Sequence, residues 1–333
     1  MDTKLPFIDL HRHLDGNVRL ATILDLGARH GVALPGGDVE TLRPHVQVMG
    51  NMPDLASWLA KLHWMTAVLA DYEACRRIAR ENVEDAAGEG MDYVELRFSP
   101  YFMAQPHGLD PVEVVRAVAA GVAEGVAATG LRVNLIGILS RTYGPEACEV
   151  ELAALLAGRE HLVAVDLAGD EKRWPARHFI RHFERARAEG LAVTIHAGEG
   201  DGAESVWTAL RELGACRIGH GVRAIDDEAL MDFLGERRIG LELNITSNVQ
   251  TNTVPSFAAH PLREFLERGL LGTINTDDPV ISGIDLAHEY KVAAPAAGLT
   301  AAHIAQAQRN AVEIAFLSAA EKAELLARAA GRG

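Results

Sequence analysis

Cysteine is scarce. Cys75, Cys148 and Cys216 are the only three, far apart and without a C-x-x-C pair. That excludes a disulfide framework and a cysteine-built zinc site, and leaves small thiols in a reducing cytosol. Long apolar runs are missing too. The most apolar stretch, Ala117 to Ala128, is broken by Gly121, Glu124 and Gly125, short of the ~20 residues a membrane span needs. Met1 to Pro6 contains no apolar segment of the secretory kind, so a cytoplasmic location is expected. Basic charge is in deficit: Lys+Arg is 32 against Asp+Glu 46, a net charge of −14. Such a surface repels phosphate backbones and anionic lipid. Neither nucleic acid nor membrane is an expected partner. No Ser/Gly-rich linker, repeat or low-complexity tract divides the chain, and no G-x-G-x-x-G follows the first apolar run.

What is present is material for a large core. Of 333 residues, 48% are hydrophobic and 23% charged, near the globular average. Eight short apolar runs read as strands: Leu5–Leu10, Tyr93–Phe98, Val133–Leu139, Leu162–Leu167, Ala192–Ile195, Cys216–Ile218, Ile239–Leu243 and Leu271–Ile274. Between them, Asp71–Ala87, Val112–Ala128, Phe179–Ala188, Asp227–Phe233 and Pro261–Arg268 show helical spacing. Glu89-Gly90, Thr129-Gly130 and Glu189-Gly190 read as helix C-caps just before strands. About eight β–α units predict an α/β fold, a (β/α)8 TIM-type barrel with helical additions. We read it as one domain over residues 1–333, with an insertion around Gly36–Trp64. An open doubly wound sheet would gather its polar residues at one switch point. Here nearly every strand ends in them.

The chemistry lies at those ends. The first strand leads into His11-Arg12-His13-Leu14-Asp15-Gly16, the fourth into Ala168-Gly169-Asp170-Glu171, and the fifth into His196-Ala197-Gly198-Glu199. The sixth gives Gly219-His220-Gly221 and the eighth Asn275-Thr276-Asp277-Asp278-Pro279. In such a barrel the active site sits at the carboxyl ends of the strands. Residues i and i+2 of an extended strand face the same side, so His11 and His13 point together into the barrel mouth. Neutral imidazole is the usual nitrogen ligand of zinc, and His196 with Asp277 would complete a site with one open position. Glu199, beside the metal but not bound to it, is placed for general acid work. His220 is placed to orient or accept the proton of the metal's water. Asp277 and Asp278 would be two adjacent negative charges unless one is neutralised, which metal binding at Asp277 achieves.

These motifs, with Thr246-Ser247-Asn248 and Tyr93 to Pro100, resemble those of the adenosine deaminases over nearly the whole chain. The resemblance implies one Zn²⁺ per chain, held by His11, His13, His196 and Asp277. It implies hydrolytic deamination of adenosine and deoxyadenosine to inosine, deoxyinosine and ammonia, a purine-salvage reaction. Glu199 resembles the proton donor to purine N1, and His220 the histidine that orients and deprotonates the zinc water. Asp278 resembles the contact to N7, Gly169 the backbone donor to N3, and Asp15 with His13 the contact to the ribose hydroxyl. Deaminases of free adenine carry Glu where Asp15 stands. The stretch Leu55–Leu62, with Leu55, Trp58, Leu59 and Leu62 on one stripe, resembles the apolar helix that covers the nucleoside. Leu243-Asn244-Ile245 departs from the family, which often shows Cys followed by Pro or Leu there. His45, His63, His178 and His260 belong to no motif.

Other readings make different demands. A two-metal hydrolase would need a bridging Lys at the fourth strand, where Asp166-Leu167-Ala168-Gly169 has none. Polynucleotide deaminases of the P-C-x-x-C type are excluded by the cysteine spacing. A metal-binding protein without catalysis would have no use for Glu199, His220 and Asp278. The same chemistry on adenine or on an aminofutalosine-type nucleoside is the remaining alternative. The expected partner is a small purine nucleoside, and the expected state a monomer.

Overall fold

All eight apolar runs become strands in the computed structural model, which describes residues 1–332. They are β1 (Ile8–His13), β2 (Tyr93–Phe98), β3 (Arg132–Ser140), β4 (Leu162–Ala168), β5 (Ala192–Ala197), β6 (Arg217–His220), β7 (Gly240–Leu243) and β8 (Leu271–Ile274). They pair in parallel in chain order, β1 through β8. The helices between them run back outside the sheet, as right-handed crossovers require. This is a (β/α)8 barrel with helical additions.

Several strands run further at their carboxyl ends than their apolar runs. β1 extends to His13, β5 past His196 and β6 to His220, so these histidines are strand residues rather than loop residues. The barrel closes just beyond β8. Asp277 accepts from the His13 N–H at 2.8 Å and donates its own N–H to the His11 carbonyl at 2.8 Å. Closure and site therefore share a residue.

Helix boundaries follow their caps. Asp71 caps Tyr72–Gly88, Asp110 with Pro111 starts Pro111–Thr129, and Gly130 ends the latter in a left-handed conformation. The segment between β1 and Tyr72 carries helices Leu20–His30, Val39–Val46 and Leu55–Leu59, the last continuing as a tighter turn over Ala60–Leu62. Most of the apolar core lies between the sheet and its helices, and a smaller cluster, including Ile8, Leu10, Ala311 and Leu325, lies apart from it. Among the described residues no helix is long and apolar enough to cross a membrane.

Candidate active site

The barrel interior below its mouth is ionic. Glu95, Arg97, Asp166, Arg217 and Glu242 are all essentially inaccessible. Such charges persist only when mutually paired, since each unpaired one would carry a large desolvation cost. Arg97 Nη1 donates to Asp166 Oδ2 at 2.7 Å, and its Nη2 donates to Glu242 Oε2 at 2.7 Å. Arg217 pairs with both Glu242 and Glu95.

This network supports two of the expected metal ligands. Glu242 Oε2 lies 2.7 Å from His11 Nδ1, and Asp166 Oδ2 lies 2.9 Å from His196 Nδ1. A carboxylate at Nδ1 holds a proton there and turns the Nε2 lone pair inward. Burial favours a neutral His196, and its value stays below the ordinary one despite Asp166. His11 Nε2 is buried without a hydrogen-bond partner. Asp277 Oδ1 lies 3.3 Å from both His11 Nε2 and His13 Nε2, and His13 Nε2 lies 3.2 Å from His196 Nε2. Lone pairs converging on a carboxylate, one of them orphaned, fit a divalent metal. His11, His196, His220 and Asp277 form one cluster able to hold an ion, and His13, Asp277 and Asp278 another. Burial works to raise Asp277, but the close approach of His11 and the charges of His220, His11 and His13 outweigh it. The carboxyl is held well below its usual range.

The adjoining groups form a second wall of the same cavity, one whose carboxyls favour the acid form. Burial, with Asp277 and Glu171 nearby, pushes Glu199 well above the carboxylate range. Burial, Asp277 and Asp15 do the same to Asp278, whose Oδ1 is also unpartnered. His220 Nε2 lies 3.6 Å from Glu199 Oε2 and 3.8 Å from Asp277 Oδ2, and burial keeps its value well down. His220 and Asp277 both adopt left-handed backbone, with φ of 61° and 65°. For residues with a Cβ this is strain of about 1–3 kcal/mol each, retained where the surroundings enforce it. Gly16 must be glycine, because a Cβ there would sit 1.4 Å from Asp278 Oδ1.

These groups face a cavity of about 300 Å³, lined also by Asp15, Gly169, Leu55, Trp58, Leu59 and Leu62. That is within the range of small-molecule sites. All nine residues singled out from the sequence thus meet: eight line the cavity and His11 sits just beneath. Asp15 is pushed up to about 7 by burial, and its Oδ2 accepts from the Ser99 N–H. The predicted covering stripe also lies over it.

The sequence reading missed the supports. Glu171, buried, accepts from the backbone N–H groups of Gly198, Glu199, Gly200 and Asp201 and from Ser205 Oγ. It fixes the loop that carries Glu199. The signal for Asp166 and Glu242 was available: a charged residue inside a strand otherwise free of polar side chains.

The family model described as adenosine deaminase matches residues 6–331. An adenosine deaminase of Edwardsiella ictaluri is 58% identical over 322 residues, covering 97% of each chain. Among solved structures, the adenine deaminase of Arthrobacter aurescens is similar with a TM-score of 0.91 at 29% identity, covering 98% of both chains. An amidohydrolase of Burkholderia ambifaria with bound Zn gives 0.88 at 26% identity, covering 98% of this chain and 90% of that one.

Proposed function

We propose that this chain, which belongs to the adenosine deaminase family, hydrolyses adenosine and deoxyadenosine at C6, releasing ammonia and leaving inosine and deoxyinosine. The observation that carries the reading is one cavity in which an ion-holding cluster of histidines and Asp277 adjoins the buried carboxyls of Glu199 and Asp278. The whole chain serves as one catalytic barrel, a cytoplasmic monomer in purine salvage with no nucleic-acid partner. His11, His13, His196 and Asp277 would hold one zinc ion. Zinc there would supply a nucleophile at neutral pH by lowering the pKa of a water from 15.7 toward ~7.

The remaining groups handle substrate and protons. Attack at C6 breaks the ring's aromaticity and places charge on N1. Glu199, whose raised value favours the acid form, delivers a proton there and removes that charge. Asp278, pushed up by burial and by Asp277, is suited in its acid form to donate to N7. Gly169 faces N3 through its backbone, and Asp15 with His13 meets the ribose. His220 faces the attacking oxygen. Of the water's two protons, one replaces what Glu199 gave to N1 and the other leaves in ammonia. Leu55, Trp58, Leu59 and Leu62 exclude bulk water.

Asp15 and the adenosine-deaminase relatives favour a nucleoside; the likeness to an adenine deaminase makes the free base the second reading. Steady-state comparison of adenosine, deoxyadenosine, adenine and AMP separates them. The two nucleosides are expected to lead in kcat/KM, and a large preference for adenine would overturn the substrate assignment.

A further inference from the structure

His260 belongs to no motif and lies outside the cavity, yet it is buried 3.2 Å from Asn248, which in turn touches His220. The direction of each hydrogen bond in this chain is fixed by its far end. The backbone N–H of Leu262 donates to His260 Nδ1 at 3.2 Å. A backbone amide can only donate, so His260 Nδ1 carries a lone pair and its proton sits on Nε2. His260 Nε2 therefore donates, and its partner must be the carbonyl oxygen of Asn248, Oδ1 at 3.2 Å. That settles which way the Asn248 amide points. Its Nδ2 is then the atom 2.9 Å from His220 Nδ1, and it donates. No charged side chain acts on His260, and burial alone pulls it down to about 3, in keeping with a neutral ring.

We propose that Asn248 and His260 are positioning residues that lock His220 in the tautomer with its proton on Nε2, pointed into the site. Two consequences follow. A protonated Nε2 has no lone pair for a metal, so His220 is excluded from the ligand set although it lies in the same cluster. It also cannot accept a proton from the attacking water. It is a hydrogen-bond donor to that oxygen, and the proton released goes to the Glu199 carboxylate, which has given its own to N1. Asn244 does not alter this. Its Nδ2 is 3.3 Å and 3.4 Å from the two nitrogens of the His220 ring. An atom so placed lies over the ring face and favours neither nitrogen.

The inference rests on His220 facing the attacking oxygen, and its test separates the two. Nitrogen NMR on metal-loaded protein labelled at the histidine rings reads each tautomer, with His220 identified by the signal lost in His220→Gln. The expected result is a pyridine-type Nδ1 and a pyrrole-type Nε2 for His220. A pyrrole-type Nδ1 would overturn the lock, whatever the activity. Asn248→Asp replaces the donating amide with an acceptor and draws the His220 proton to Nδ1. We expect kcat to fall by at least ~100-fold with KM and metal content held, and the NMR pattern to invert. Wild-type kcat in folded, metal-loaded Asn248→Asp would overturn the functional part. Unchanged turnover in His220→Gln would instead overturn the role given to His220, leaving the tautomer readable on its own.

Discussion

The two walls of the cavity are built from the same residue types and behave oppositely. On one, His11 and His196 have carboxylates behind Nδ1, and Asp277 is held ionised. On the other, His220 has an amide N–H behind Nδ1, and Glu199 and Asp278 are pushed toward the acid form. For His11, His196 and His220 the partner at Nδ1 decides whether Nε2 offers a lone pair or a proton. A histidine in a barrel mouth is therefore not assignable by position alone.

The largest effect that can sharpen this contrast comes from the proton-holding wall. Glu199→Gln should lower kcat by ~10²–10⁴-fold, while zinc content and nucleoside binding, read by metal analysis and calorimetry, stay near wild type. Loss of metal in that variant would break the division. The raised Glu199 value carries a sign as well. The acid form is the active one, so kcat should fall as pH rises through that value, and the fall should disappear in Glu199→Gln.

A change on the ion-holding wall should do the reverse. Asp166→Asn weakens the support of His196, and metal affinity measured by chelator competition should drop ~10–100-fold. It also strips Arg97 of a buried partner, so thermal stability should fall. Unaltered affinity would show that the carboxylate does not tune the ligand. Glu171→Gln acts on the loop behind Glu199. An amide NH₂ there would confront backbone donors of the Glu199 loop, so kcat should fall about 10-fold with zinc retained. Amide hydrogen exchange over residues 198–201 should quicken; unchanged exchange would sever Glu171 from the loop.

The smallest effect concerns pH. His260 is depressed to about 3 in the folded chain against about 6.5 unfolded. Below the unfolded value the unfolded chain binds a proton that the folded chain does not. The stability tied to a neutral His260 is therefore present above that value and lost as pH falls toward 3. His260→Gln should flatten the decline of melting temperature across this window, though it starts from a lower stability. A parallel curve would contradict the neutral ring.

Much of this was legible in the sequence. The eight strands, the glycine caps and the placing of His11, His13, His196, Glu199, His220, Asp277 and Asp278 at one barrel mouth follow from local patterns: apolar runs, helical spacing, and polar residues at strand ends; Asp15 and Gly169 were singled out through the family resemblance. What stayed hidden depends on contacts across the barrel. Glu242 meets His11 over 231 positions of sequence, and no local pattern links them. His260 is an unremarkable residue until the fold sets it against Asn248. The reach of β1 through His13 was also missed, because polar residues ended the apolar run while the ladder continued to Asp277.

The account turns on a metal-assisted attack at C6. Purified protein should convert adenosine to inosine with one ammonia released per turnover, lose that activity on exhaustive chelation, and regain it with one equivalent of zinc per chain. Zinc-replete, folded protein that leaves adenosine intact would contradict it.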